Sequence, residues 1–229
     1  MTDLFDPTSW SKIRRAAHGG SPDQKEALNL LAEVYRGPLL KLARLIGIPE
    51  NDAEDEVQSV LAGVLAPNRL AAMDRGKGRF SHYLATSLKR RWLGHVRAAN
   101  RQRRDSRLTV SLSDASLESI AGKSEDWSHA IDRALGEQCL AKVRHAMVGE
   151  AADPVLAERL WTDLLRLDPP GEGENREPMS DAYRQRLRVF RRDFRQHFRE
   201  VVSAGLTDPT DLEAECAHLL RLALQGRNE

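Results

Sequence analysis

The sequence predicts an all-α protein made of two small helical domains. Three features point there: the apolar residues are mostly Leu, Ala and Val and recur at helical spacing, charged residues make up 30% of the chain, and aromatics only 5%. That balance suits packed amphipathic helices better than sheets. With 229 residues, 41% of them hydrophobic, the chain can bury a sizeable core, and its length accommodates two small domains.

The first helix is expected over Gln24 to Ile46, where Ala27, Leu31, Val34 or Tyr35, Leu39, Leu42 and Leu45 share a face and Gly37-Pro38 marks a kink point. Gly47, Pro49 and Asn51 interrupt the pattern. Asn51, with Glu54 three residues on, then resembles a capping box opening a second helix, whose stripe is Val57, Val60, Leu61, Val64 and Leu65. Asp52, Glu54, Asp55 and Glu56 crowd the first turn of that helix. The helix dipole favours anions there, and that alone accounts for an acidic turn. Pro67 ends the helix, and Gly76 and Gly78 mark a loop.

The next helix carries the strongest functional signal. Phe80, Tyr83, Leu84, Leu88, Trp92 and Val96 give it an apolar face, and the surrounding stretch from Arg75 to Arg107 holds eleven Lys or Arg against the single acid Asp105. The stretch is therefore +10 while the whole chain is +1, so the positive charge is concentrated and the rest is acidic. Segregation of this kind marks a polyanion site. Rings at Phe80, Tyr83 and Trp92, with His82 and His95 beside them, add base stacking to phosphate neutralisation, the pairing that single-stranded nucleic acid requires. Tyr83 and Trp92 lie on or near the apolar stripe, so core packing and base stacking are both open for them. A solvated basic helix is the plain alternative for the charges.

From Ser106 to Ser124 the chain is polar and Ser-rich, which reads as a linker. Domain bounds follow at 1–105, a linker at 106–125, a second domain at 126–205 and a C-terminal helix at 206–229. Within the second domain, helices are expected at Trp127 to Met147 and Pro154 to Leu167, then a breaker segment from Asp168 to Asn175, then a helix from Ser180 to Ser203. In that last helix Tyr183, Leu187, Phe190, Phe194, Phe198 and Val201 form a packing face. Arg184, Arg188, Arg191 or Arg192, Arg195 and Arg199 run parallel to it, either as a solvated face or as a phosphate track. A final helix over Pro209 to Gln225 supplies Leu212, Cys216, Leu219, Leu220 and Ala223.

The order of these motifs resembles the extracytoplasmic-function class of bacterial sigma factors, two-domain subunits that direct RNA polymerase to promoters. Asp52-Ala53-Glu54-Asp55 with Gln58 matches the acidic signature of the family's polymerase-docking helix. Gly78-Arg79-Phe80, then Tyr83-Leu84 and Ser87-Leu88-Lys89, look like the start of its promoter-melting helix. Gln102-Arg103-Arg104 look like the basic end of that helix, and Val110 to Asp114 like the linker behind it. Trp10-Ser11 and Asp208-Pro209 recur in a large subgroup of the class. The resemblance implies core RNA polymerase and promoter DNA as partners, with an inhibitory anti-sigma protein as a further one, and a cytoplasmic setting. Asp52, Glu54, Asp55 and Gln58 would meet the polymerase, and Lys89, Arg90, Arg91, Arg97, Arg101, Arg103 and Arg104 would hold promoter phosphates. Tyr83, Trp92 and His95 would stabilise an unpaired base, and Arg184, Arg188, Arg191 and Arg195 would contact upstream DNA.

The chain also departs from the family. Pro169 to Pro178 stands where the first helix of a helix-turn-helix belongs, so the second domain reads as a degenerate form of that motif, and Ser59 and Leu61 replace the acid and aromatic that commonly follow Gln58. An interaction protein on the same scaffold, without upstream reading and binding a protein or RNA partner, is the competing expectation. No enzyme is expected. Gly76-Lys77-Gly78 lacks phosphate-loop spacing, Cys139 with His145 and Cys216 with His218 do not make a zinc site, and no nucleophile or acid-base pair stands out. No cofactor or metal is implied. Cys139 and Cys216 lack CxxC partners, the start of the chain lacks an export pattern, and no run of about 18 apolar residues occurs, so the chain is expected to be neither exported nor membrane-spanning.

Overall fold

The computed structural model describes residues 16, 22–73, 79–105, 124–165, 180–205 and 212–225. Eight helices lie among them: α1 (Pro22–Leu45), α2 (Glu50–Val64), α3 (Pro67–Ala71), α4 (Phe80–Asp105), α5 (Ser124–Arg144), α6 (Pro154–Leu165), α7 (Asp181–Gly205) and α8 (Leu212–Gln225), with a π-helical turn at His145–Gly149 after α5. No strand occurs among the described residues, and the all-α expectation holds. Pro169 to Pro178 and the stretch 106–123 lie outside the described residues.

Local chemistry sets the helix ends. Gly47 adopts φ +77°, and the amides of Gly47 and Ile48 reach back to the carbonyls of Arg44 and Ala43 at 3.1 and 3.0 Å. This is the paired closure that a left-handed residue after a helix permits. The expected Asn51–Glu54 capping box does not form. Pro49 is the N-cap of α2 without a side-chain cap, its carbonyl accepts from Asp52 N and Ala53 N at 2.9 Å each, and Glu54 turns to Arg36 instead. The Pro49-Glu50 step starts the helix two residues earlier than the box would. Asp153 and Ser180 cap α6 and α7, accepting from Leu156 N at 3.0 Å and Tyr183 N at 3.2 Å.

One hydrophobic cluster runs from Ala16 and α1 to Ala223 of α8, and α5 is its axis, packed on α1, α4, α7 and α8. Two notches let α5 come close. Pro38 lies inside α1 and has no amide hydrogen, so Val34 O, four residues before it, lacks its helical donor. Gln138 Nε2 of α5 supplies one at 3.2 Å. A Cβ on Gly37 would stand 2.8 Å from Gln138 Oε1, so Gly37-Pro38 works as a socket for α5 in a helix that continues through it. Gly136 of α5 is the second notch: a Cβ there would meet Leu219 O of α8 at 2.3 Å.

Tyr35, Phe80, Trp161, Phe194 and Phe198 are interior. Phe80 and Tyr35 meet edge to face at 5.3 Å, Trp161 and Phe194 likewise at 5.7 Å, and Phe194 stacks on Phe198 at 5.7 Å. Phe190 packs against the same core. Cys139 and Cys216 are buried free thiols; burial pushes Cys139 up to about 12 and Cys216 up to about 11, which keeps both protonated and unreactive.

Candidate nucleic-acid interface

Helix α4 divides its side chains among three surroundings. Its apolar face, with Phe80, Leu84, Leu88 and Val96, is buried in the core, and Trp92 packs against that core from a half-buried position. Trp92 is thereby committed mainly to packing. Tyr83 is 42% exposed.

A second surrounding forms where α4 meets α5 and α8. Arg79, just before α4, is only 10% exposed; its Nη2 donates to Glu215 Oε1 at 2.9 Å and Oε2 at 3.1 Å, and its Nε lies 3.0 Å from Asp132 Oδ2. His82 Nε2 and His218 Nε2 approach the same Asp132 oxygen at 3.2 and 3.1 Å. Asp132 and Glu215 are almost completely buried. Burial alone would raise the Asp132 carboxyl, but hydrogen bonds to His218 and His82 and the charge of Arg79 outweigh it, holding the group well below the usual carboxylate range. Further along, Lys89 Nζ sits 5.3 Å above the Trp127 ring of α5. These cations serve the fold.

The third surrounding is open. Arg90, Arg97 and Arg101 are exposed, with no acid partner among the described residues. With Tyr83 and Gly94 they fall at steps of seven, four, three and four residues, which is one stripe of a helix. A Cβ added to Gly94 meets nothing within 4 Å, so the stripe has a flat, unobstructed middle. Arg90 and Arg101 are about 16 Å apart along the axis, roughly the rise of five nucleotides in one duplex strand. Arg103 and Arg104 continue the backbone of α4, while their side chains lie outside the described set.

Between the open and sealed groups stand Arg91 and His95. Glu56 of α2, 6% exposed, takes Arg91 Nε on one oxygen at 2.7 Å and His95 Nδ1 on the other at 2.5 Å. On the outer surface of α2, Asp52, Asp55 and Gln58 are exposed. Glu54 is tied to Arg36 of α1 by two bonds of 2.5 and 2.9 Å and receives Gln58 Nε2 at 3.3 Å. The Arg36 hydrogen bond holds the Glu54 carboxyl below its ordinary value. Of the acidic turn, Asp52 and Asp55 are thus the carboxylates left for an outside partner. On α7, Arg188, Arg191 and Arg195 are exposed without acid partners among the described residues, while Arg184 pairs with Asp181.

Residues 31–102 match the family model for sigma-70 region 2. The match spans α1 from Leu31 through Gln102 of α4, so the acidic turn, Glu56 and the open stripe all fall within the region 2 segment. It supports a sigma factor role in RNA polymerase binding and transcription initiation. No curated protein and no solved structure gives a significant match.

Sequence reasoning missed the buried acids. Glu56 carried a weak signal, as the acid of its crowded turn that falls at the edge of the stripe formed by Ala53, Val57 and Val60. Asp132 and Glu215 carried a similar one, each next to apolar residues of an amphipathic helix. Among the described residues no group of three or more His, Cys, Asp or Glu is placed to hold a metal ion, and no helix is long and apolar enough to cross a membrane.

Proposed function

We propose that the chain is a transcription initiation factor of the extracytoplasmic-function class, acting without chemistry of its own. In this account α2 docks on core RNA polymerase through Asp52 and Asp55, with Gln58 beside them and Glu54 bracing the turn against α1. Helix α4 holds the promoter at its melting site through Arg90, Arg97 and Arg101, extended by Arg103 and Arg104. Tyr83, at the head of the same stripe, meets an unpaired base, where stacking contributes about 1–3 kcal/mol.

Residues 1–105 would provide these functions, with 106–125 as the connection to a region 4-like unit at 126–205, which the helix of 206–229 follows. Arg188, Arg191 and Arg195 of α7 would contact upstream phosphates. An inhibitory partner and a cytoplasmic setting belong to the same account.

The observation that carries it is the coincidence of the region 2 match with a cationic stripe on α4 that has no acid partner among the described residues. The test mixes purified protein with core polymerase and a promoter fragment. Co-migration that weakens in an Asp52→Ala, Asp55→Ala double variant is expected, and absence of any association refutes the assignment.

A further inference from the structure

Glu56 is a buried carboxylate beside a surface proposed to bind a polyanion, and its charge has the wrong sign for that task. Burying a carboxylate is costly unless it is fully paired. Here each oxygen has one partner, Arg91 Nε and His95 Nδ1. Both partners stay partly in solvent, with 40% and 51% of their side-chain surface exposed.

The atoms used are informative. Arg91 commits the edge nitrogen of its guanidinium and leaves both terminal nitrogens without a partner among the described residues; His95 commits Nδ1 and leaves Nε2. Bound at one edge, a planar guanidinium loses most of its rotational freedom yet retains a two-donor fork that matches a phosphate. An imidazole fixed at Nδ1 likewise holds its other nitrogen in a set direction. Residues 91 and 95 are one turn apart on α4, next in sequence to Arg90 and Gly94 of the open stripe.

We infer that Glu56 is a positioning residue for nucleic acid: it fixes Arg91 and His95 so that their remaining nitrogens stand ready for the phosphate and base edge of an unpaired strand. The inference rests on the proposed role of α4, and it predicts an effect opposite in sign to simple electrostatics. If Glu56 only offset positive charge, removing its charge would tighten DNA binding. If it positions two donors, removing it weakens binding, because each side chain must then be ordered at the moment of association.

The experiment measures binding of a duplex with an unpaired central bubble to the full chain assembled with core polymerase, across a salt series. Glu56→Gln should weaken binding about tenfold, a loss of about 1.4 kcal/mol, despite the gain of one positive charge. Arg91→Lys, which keeps the charge and loses the fork, should weaken it to a similar degree, and the double variant little further, since both act through one contact. Arg91→Lys also keeps the test decisive if Glu56→Gln fails to fold. Unchanged or tighter binding by a folded Glu56→Gln protein, unchanged binding by Arg91→Lys, or fully additive losses would overturn the inference. An Arg97→Ala, Arg101→Ala variant in the same assay separates the two levels: if its binding is undiminished, the role of α4 itself is wrong.

Discussion

At the threshold of α4, Arg79 is 10% exposed and enclosed by Asp132, Glu215 and two histidines; further along the same helix Arg90, Arg97 and Arg101 stand in solvent without acid partners among the described residues. In the sequence these arginines belong to one cluster of +10. In the fold they do two different jobs. Arg79 joins α4 to α5 and α8, where its charge is compensated and unavailable, whereas the later arginines keep theirs for an outside partner. Local charge density therefore locates a polyanion site only to within a helix; which cations are usable depends on where the second half of the chain places its acids.

The largest expected effect breaks the enclosed end. Asp132→Asn leaves Arg79 with Glu215 alone and strips both histidines of their acceptor charge, and should cost about 3–5 kcal/mol. That is a fall in Tm of roughly 10 °C for a chain this long, measured by calorimetry. The pH dependence has a definite sign. The folded carboxyl is depressed, so its contribution is complete above the unfolded value of about 3.9 and is lost as pH falls through the lower folded value. The carboxyl's own share of the stability gap between wild type and Asp132→Asn should thus be complete down to about pH 4 and shrink only in stronger acid.

At the open end, Arg90→Ala, Arg97→Ala and Arg101→Ala together should change stability by no more than about 0.5 kcal/mol each. They should weaken binding of bubble DNA on the order of a hundredfold at low salt, about 2.7 kcal/mol. A smaller effect sharpens the enclosed side: Gly136→Ala drives a methyl into Leu219 O, which should cost about 1–3 kcal/mol in denaturant unfolding without altering DNA affinity. Smallest is Lys89→Met, which removes the cation from above the Trp127 ring and should cost about 0.5–1 kcal/mol by the same measurement.

The helices were legible because their apolar spacing is regular: α1, α6 and α7 begin and end within two residues of the expected bounds. The start of α2 was misplaced because Asn51 and Glu54 satisfy a capping pattern that Pro49 and Arg36 pre-empt. Gly37-Pro38 showed that something happens in α1, but not that Gln138, about a hundred residues on, occupies the vacancy. The same limit applies to the site. Arg90, Arg97 and Arg101 could be picked out as cations on a helix, while the captivity of Arg79 and the tether on Arg91 depend on Asp132, Glu215 and Glu56. Those acids sit on other helices, and no local pattern links them to their partners.

The division of labour along α4 is tested most directly by the salt dependence of bubble-DNA binding in the polymerase-bound state, comparing wild type with the Arg90, Arg97, Arg101 triple alanine variant. The account predicts that the slope of log affinity against log salt becomes shallower by about 2, near 0.7 for each single-strand phosphate that the variant no longer neutralises. An unchanged slope in a folded triple variant would contradict it.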